Sequence, residues 1–369
     1  MRSLAVRQYS KPSGYEVLQL PVPTIERPGD ILIRVHAASI QTGDTQIAAG
    51  MSRLFAPLQF PAKLCGSGSG IIVGVGSAVS SFKVGDAVYG LTHKHGEFPP
   101  VASGFASEFT VVPADTMLPK PPHVSFEDAA ALAGSVLTSY QVVRRYFELT
   151  GQPTDGSATL EGKTVFLQAA LGGSGSVAAQ VVKNVYGASK VITTVSTAKV
   201  PLVEELLPDV VDQVVDYKTQ DVVEAVGRGT VDFVFNTQWE LVKTFALANP
   251  ETGAVVSIAS MPSEKTVRSL LGTSKVPFQW VIFLVSRLAY LWYDWKLRGT
   301  NIKHDFVSGN MGDREALERS GEWVAAGKVK AITTVVDLGD LQAIRAECQK
   351  VADGKGGVGK LVIRVSPSS

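Results

Sequence analysis

The 369-residue sequence predicts an α/β protein in which a compact antiparallel barrel of short strands precedes a parallel sheet with crossover helices. Three observations carry that prediction. Strand-like runs separated by glycine and proline fill residues 1–125. Strand and helix patterns then alternate from residue 164 to 260. The first strand of that alternation runs into a glycine turn followed by a helix of small residues.

In the first part, Leu4–Arg7, Asp30–Ala37, Gly70–Val75, Asp86–Gly90 and Ala106–Val112 read as strands, punctuated by Pro21, Pro23, Pro28, Gly43, Gly66, Gly68, Gly85 and Gly96. Ser125, followed by Glu127 and Asp128, has the residue types of a helix N-terminus, and Ala129–Phe147 carries helical apolar spacing. A polar, glycine-rich link, Gly151–Gly162, comes next. Strands are expected at Thr164–Ala170, Lys190–Ser196, Gln213–Asp216, Val231–Asn236 and Ala254–Ser260, with helical spacing between most of them. Toward the C-terminus, helices at Arg314–Ala326 and Leu341–Val351 alternate with strands at Ala331–Val336 and Gly359–Val365. No internal repeat or low-complexity tract interrupts this order.

The stretch Lys163–Lys183, KTVFLQAALGGSGSVAAQVVK, organises the second part. Gly172, Gly173 and Gly175, with Ser174, Ser176 and Val177 among and after them, permit a sharp turn and close approach of a ligand. The first N–H groups of the following helix offer a partly positive end to a pyrophosphate. A plain loop is the alternative, because Ala169 and Ala170 stand where a strict G-x-G-x-x-G has its first glycine. The surrounding alternation of strands and helices favours the dinucleotide site.

Composition narrows the classes. Formal net charge is +1, with no block of like charge, so no nucleic-acid partner is expected. Cys65 and Cys348 are the only cysteines, lie far apart and belong to no metal-type cluster; they read as small buried hydrophobes in a reducing compartment. The start, MRSLAVRQYSKPSGYEV, has too short an apolar core for a signal peptide, so a cytoplasmic location is expected.

The segments GYEVLQLPVP, GDILIRVHAASIQTGD, CGSGSGIIVGVGSAVSSFKVGDAVYG, SEFTVVPADTMLPKPPHVSFEDAAALAGSVLTSYQVV, the glycine turn, VITTVS with Lys199, VVDY at 214–217, TGAVVSIAS and GGVGKLVIRV follow one another in an order that covers almost the whole chain. That order resembles the medium-chain dehydrogenases/reductases, closest to their zinc-independent quinone oxidoreductases and the stand-alone enoyl reductases of fungal biosynthetic pathways. The resemblance implies a GroES-like β-barrel catalytic domain over residues 1–127, completed by 310–369. It also implies a Rossmann doubly wound parallel-sheet domain over 128–309 that binds NADP, with the active site in the cleft. In zinc-dependent relatives a cysteine lies near Gln41, a His-Glu pair near Gly66 and Ser67, and another cysteine near Gly134. None of these residues supplies thiolate, imidazole or carboxylate, and two cysteines cannot build a four-cysteine site, so no metal is expected. Without a Lewis acid, hydride reduction of a polarised C=C bond is expected in place of alcohol oxidation.

Similar fungal enoyl reductases often carry a lysine two residues after the aspartate of the segment matching QTGDTQ. Gln46 stands there, and Gln41–Gly43 replace the usual Asn-Pro. Asp44 is expected either to shape the nicotinamide end of the cleft or to bond its own backbone. No residue is assigned as proton donor; solvent can serve.

An acid after the second strand would bind the ribose diol of NAD and repel a 2′-phosphate. Ser196, Thr197 and Lys199 stand there with no acid among them, and hydroxyl plus ammonium suits a phosphate, so NADPH is the expected cofactor. By resemblance, Tyr217 lies beside the adenosine phosphate and Thr138 near the nicotinamide ribose. Val358, Gly359 and Lys360 either close over the cofactor or form a plain turn before an edge strand.

Val276–Trp295, VPFQWVIFLVSRLAYLWYDW, departs from the rest. Pro277 can open a helix, and the run is apolar on nearly all sides, so it is expected to be buried or to touch something apolar. Arg287 near its middle argues against a membrane span. A lid over the substrate pocket, a subunit interface and a membrane-surface contact through residues 276–298 stay open, the last supported by Lys275, Lys296, Arg298, Lys303 and the tryptophans. Peripheral membrane attachment is thus the alternative to a purely cytoplasmic location.

The expected function is NADPH-dependent hydride transfer to an enone, quinone or enoyl thioester. The substrate is a small molecule, free or as a polyketide bound to a carrier protein, and the enzyme a monomer or homodimer. The alternative is a non-redox protein on the same scaffold, either a membrane-associated adaptor or a pathway enzyme working without hydride transfer.

Overall fold

Short, largely buried apolar runs separated by glycine and proline form the strands of the first third of the chain. The computed structural model describes residues 1–53, 57–92, 103–271, 279–310, 312–355 and 357–366. In chain order the first elements are β1 (Arg2–Val6), β2 (Glu16–Gln19), β3 (Asp30–Ile40), α1 (Thr42–Ala48), β4 (Ala62–Lys63), β5 (Ser67–Val75), β6 (Ala87–Leu91), β7 (Phe109–Pro113), β8 (Met117–Pro119) and α2 (Phe126–Thr150). The strand–helix alternation follows as β9 (Thr164–Gln168), α3 (Gly175–Gln180), β10 (Lys190–Val195), α4 (Val200–Leu206), β11 (Gln213–Asp216), α5 (Val222–Val226), β12 (Phe233–Asn236), α6 (Leu241–Thr244), β13 (Ala254–Ser257), α7 (Glu264–Leu271), α8 (Gln279–Lys296) and β14 (Lys303–Phe306). The chain closes with α9 (Arg314–Ala325), β15 (Thr333–Asp337), α10 (Leu341–Ala352) and β16 (Lys360–Arg364).

These elements form two compact units, one of Met1–Ser135, Asn310–Ala325 and Lys330–Ser369, the other of Val136–Gly309 and Ala326–Val329. In the first unit a three-stranded sheet, β2-β1-β4, joins a larger one ordered β15-β16-β3-β5-β6-β8, with β7 also paired to β3. All pairs are antiparallel except β15 with β16. Register shifts between Leu32 and Ile33 and between Val35 and Ala37 bend β3 against β5, as barrel-type curvature requires. Ile31, Ile33, Val35 and Ile72 are fully buried, and each such burial stabilises by roughly 1.5–3 kcal/mol. The C-terminal segment belongs to the same core, because Ile344 and Cys348 of α10 and Leu361 and Ile363 of β16 pack with Leu4, Tyr15 and Phe105. β16 lies between β15 and β3, so it is an interior strand and not the edge strand that one sequence alternative supposed.

The second unit is a six-stranded sheet ordered β11-β10-β9-β12-β13-β14, parallel throughout. Counted from β9, the strand order is 3-2-1-4-5-6, the doubly wound Rossmann arrangement, whose order reverses between β9 and β12. Such strands are covered on both faces, which accounts for the fully buried runs of β12 and β13.

α8 departs from expectation. Val276–Phe278, including Pro277 and its proposed helix start, lie outside the described residues, as do Lys275 and Gly96. One face of α8 packs Tyr293, with Leu297 just beyond the helix, into the core of the second unit. The opposite face leaves Trp280, Val281, Leu284, Val285, Leu288, Leu291, Trp292 and Trp295 exposed, Trp280 at 62% and Leu288 at 55%. At 3.6 residues per turn these side chains form an apolar stripe about 140° wide, bordered by Arg287 and Asp294 on one side and Lys296 on the other. Among the described residues no helix is long and apolar enough to cross a membrane.

Candidate functional site

The reversal point between β9 and β12 is where a doubly wound sheet opens a crevice at its carboxyl edge. There the chain makes the turn Ala169–Ser174. Ala169 occupies the left-handed region at φ 57, the conformation a glycine would take at no steric cost. The fingerprint's missing first glycine is therefore absent as a residue while its backbone shape is kept. The shape is held from β10: Thr193 Oγ1 donates to Leu167 O at 2.8 Å and accepts from Ala170 N at 3.1 Å, and Ala169 N donates to Thr194 O at 3.0 Å. From β12, Thr237 Oγ1 donates to Gln168 O at 2.9 Å while its N–H donates to Gln168 Oε1 at 3.1 Å, tying together the two loops that flank the crevice. Asn236, fully buried at the end of β12, keeps an Oδ1 acceptor without a partner among the described residues.

Gly172, Gly173 and Ser174 are half-buried, whereas Gly175, Ser176 and Val177 are buried. A Cβ on Gly175 would lie 2.1 Å from Ala169 O, so only glycine lets α3 start this close to the turn. Ser174, at the N-cap, makes no side-chain cap hydrogen bond, which leaves capping of the helix start to another group. The side chains of Ser176 and Val177 are committed to packing of α3, which continues into a π-helical turn over Val181–Val185.

β10 pairs with β9 on one side and β11 on the other, with Val195 in register with Asp216. That register brings four predicted residues together. Ser196 and Lys199 are half-buried and Thr197 exposed in a single 3₁₀ turn after β10, and Tyr217, 49% exposed, bonds through its N–H to Val195 O at 3.2 Å. Burial lowers the pKa of Lys199. The same register delivers Asp216, an acid that residues 196–199 do not themselves contain. Its Oδ1 accepts from Lys218 N at 2.9 Å, and a hydrogen bond from Thr197, followed by these turn contacts and the Lys218 charge, lowers its pKa.

Thr138, half-buried on α2, lies against Gly309, where a Cβ would come within 3.2 Å of its Oγ1. The remaining predicted residues belong to the first unit and are considered there by themselves. Asp44 Oδ2 accepts from Gln41 N at 2.7 Å and its Oδ1 from Gly66 N at 3.1 Å, so the carboxylate caps α1 and ties it to the start of β5. Burial raises its pKa against the lowering effects of the Gln41 N–H, Lys360 and the Gly66 N–H. Lys360, buried in β16, is lowered to about 8 by burial, opposed by the charges of Asp44 and Cys65. Of the two roles open to Asp44, this geometry displays the backbone-bonding one. Val358 O accepts from Thr334 Oγ1 at 2.9 Å, and Gly359, at φ 75, has Ile332 O 2.1 Å from where a Cβ would sit, so this turn is fastened to β15.

The positions corresponding to zinc ligands converge as well. Gln41 Nε2 donates to Ser67 Oγ at 2.7 Å, and a Cβ on Gly134 would lie 2.8 Å from Gln41 Nε2 and 3.3 Å from Ser67 Oγ. A carboxamide, a hydroxyl and a glycine do not suit tight zinc ligation, and the first two satisfy each other. Among the described residues no group of three or more His, Cys, Asp or Glu is placed to hold a metal.

The chain matches the model of an alcohol dehydrogenase GroES-like domain over residues 27–122 and that of a zinc-binding dehydrogenase over 211–363. It is 30% identical over 236 residues to 2-methylene-furan-3-one reductase of Solanum lycopersicum, covering 60% of this chain and 56% of that one. To the chloroplastic NADPH-dependent alkenal/one oxidoreductase of Arabidopsis thaliana it is 32% identical over 230 residues, covering 61% and 55%. The match thus spans just over half the length of these relatives. Escherichia coli quinone oxidoreductase, solved in complex with NADPH, superposes with a TM-score of 0.73 at 20% identity over 99% of this chain and 100% of that one, a likeness of fold. The barrel-type sheets and the 3-2-1-4-5-6 parallel sheet agree with the two matching models, so the chain carries an alcohol dehydrogenase GroES-like domain and a zinc-binding dehydrogenase domain and is similar to the medium-chain dehydrogenases/reductases.

Proposed function

We propose that the chain is an NADPH-dependent reductase that directs hydride to the electron-poor carbon of an activated C=C bond in an enone, quinone or enoyl thioester. The observation that carries this reading is the convergence, at the carboxyl edge of β9, β10 and β11, of a tight turn starting an uncapped helix with the cluster of Ser196, Lys199 and Tyr217. The activities for which the two plant relatives are named support it.

Bound NADPH would supply the hydride. The chain's own residues hold and orient it. Gly172, Gly173 and Ser174 present backbone to the pyrophosphate, with Gly175, Ser176 and Val177 setting the position of the helix start. Lys199 and Ser196 take the 2′-phosphate by charge and hydrogen bonding, and Tyr217 covers the adenosine side. Thr138 offers its hydroxyl to the nicotinamide ribose. Val358 and Gly359 close over the cofactor, and Asp44 acts through the shape it gives α1. Zinc has no role, because Gln41, Ser67 and Gly134 are the wrong donors. The proton is taken from solvent.

A small free alkene is the first substrate class, and a carrier-bound polyketide enoyl thioester the second. The protein works in the cytoplasm as monomer or homodimer, and a membrane-surface contact of the apolar segment that includes α8 is the alternative to a purely cytoplasmic location. NADPH consumption against a panel of enones, quinones and enoyl thioesters, beside NADPH binding by fluorescence, tests the reading. Turnover of at least one class supports it. Tight binding without turnover would move the chain to the non-redox alternative, which the engagement of both Gln41 and Asp44 in capping α1 favours.

A further inference from the structure

The exposed stripe of α8 is unlike the rest of the surface. Eight outward positions are apolar, and three of the large ones, Trp280, Trp292 and Trp295, are indoles. Tryptophan joins an apolar ring to one N–H donor, which suits the boundary between hydrocarbon and headgroups. Lys296 Nζ lies 5.9 Å from the Trp292 ring centroid and 4.9 Å from that of Trp295, so a cation rides at the border of the stripe beside two of these rings.

Charge is distributed to match. The segment Glu264–Lys303 contains seven lysines and arginines and two carboxylates, a formal +5, whereas the whole chain carries +1, so the remainder is −4. Both carboxylates are partnered: Glu264 Oε1 accepts from Arg268 at 2.7 Å, and Asp294 Oδ1 lies 3.0 Å from His304 Nε2. Beside the stripe, α7 and α8 border a cavity of about 490 Å³ whose lining includes Lys265, Arg268, Arg287, Tyr290 and Leu291. Neither Lys265 nor Arg287 has an ion-pair partner among the described residues. An apolar stripe is thus flanked by a groove that Glu264 and Asp294 also line, where three cations outnumber two carboxylates that are both already partnered.

We propose that α7 and α8 form a docking surface for an anionic phospholipid bilayer, with the α8 stripe lying in the interface plane and the α7–α8 groove taking a lipid headgroup. The occupant follows from charge. An isologous contact between two copies would bring one basic border against another, whereas an anionic leaflet attracts it. The contact is interfacial, and it is independent of whether the chain turns over NADPH.

Flotation of the full-length protein with vesicles of phosphatidylcholine, alone or with about 30% phosphatidylserine, tests the proposal. The wild type is expected to float with the anionic vesicles and shift its tryptophan emission to the blue, and to be released at about 0.5 M salt, where the Debye length is a few ångströms. Arg287→Gln with Lys296→Gln is expected to weaken partitioning about 25-fold, at about fivefold per cation. Leu288→Asp is expected to abolish flotation while leaving the thermal unfolding midpoint unchanged, since Leu288 is exposed. Failure to float, equal binding to neutral and anionic vesicles, or a dimer in sedimentation that Leu288→Asp dissociates while vesicles recruit nothing would each overturn it.

Discussion

Replacing Ala169 tests whether the glycine turn carries the backbone shape assigned to it. At φ 57 an alanine is disfavoured by about 1–2 kcal/mol, a penalty glycine escapes. Glycine loses more chain entropy on folding, about 0.5–1 kcal/mol, and removal of one half-buried methyl costs about 0.4 kcal/mol. The terms nearly cancel, so Ala169→Gly is expected to change stability by less than about 0.5 kcal/mol. Ala169→Val is different. A β-branched residue is a genuine outlier in this region, and the added strain of about 1–3 kcal/mol has no offset, because the turn is clamped by Thr193 and by the Ala169 N–H to Thr194 O. Urea unfolding should therefore place valine about 2 kcal/mol below alanine, with glycine close to alanine. NADPH affinity should fall for valine and persist for glycine. Equal stability of all three, or a glycine variant weaker than the valine variant, would refute the left-handed turn.

Three further outcomes follow from the same geometry. Thr193→Val keeps the side-chain volume but leaves the Ala170 N–H buried without its acceptor, so urea unfolding should show a loss of about 1–3 kcal/mol. His36 is buried, neither ring nitrogen has a hydrogen-bond partner among the described residues, and the ring stacks on Phe126 at 4.2 Å; burial, then the Arg34 charge, lower its pKa, with Glu127 opposing. Its folded pKa lies below the unfolded value of about 6.5, so its contribution is complete above that pH and declines as pH falls through the lowered folded value, by at most about 1.4 kcal/mol per pH unit. His36→Phe should flatten that part of the stability–pH curve, as measured by urea midpoints; an unchanged slope would contradict the assignment. Asp216→Asn keeps an acceptor for the Lys218 N–H but removes a negative charge at the end of β11, which is in register with the strand end before the 196–199 turn, so the ratio of NADPH to NADH affinity should rise several-fold in a binding titration; a fall would show that the carboxylate shapes this turn and does not oppose the phosphate.

Much of the fold was legible because its signals are local. β9, β10, β11 and β13 begin where the apolar runs Thr164–Ala170, Lys190–Ser196, Gln213–Asp216 and Ala254–Ser260 do, since a parallel strand covered on both faces is written as one continuous apolar stretch. β14, Lys303–Phe306, was missed, because KHDF carries no such run and joins the sheet only by pairing with β13. α1 was missed for a related reason: Thr42–Ala48 has little periodicity, and its start is defined by the reciprocal bonds of Gln41 and Asp44. At the candidate site, Lys199 and Tyr217 were readable as residue types at strand ends, whereas Thr193, Gln168 and Thr237 act through contacts across the sheet that no spacing announces. Asp216 was visible in VVDY, but only the register of Val195 with Asp216 places it beside the 196–199 turn. For α8 the expectation of a covered apolar helix followed from composition. Composition does not say which face is covered, and an apolar stripe of that surface faces outward.

Calorimetric titration of wild type and Lys199→Ala with NADPH and NADH decides whether the ends of β10 and β11 recognise a 2′-phosphate. A charge-assisted contact from a half-buried lysine is worth about 1.5–3 kcal/mol, discounted here toward the lower end for solvent screening. Lys199→Ala should therefore weaken NADPH by about tenfold and leave NADH within about twofold. Equal weakening of both cofactors, or no change in either, would contradict the account.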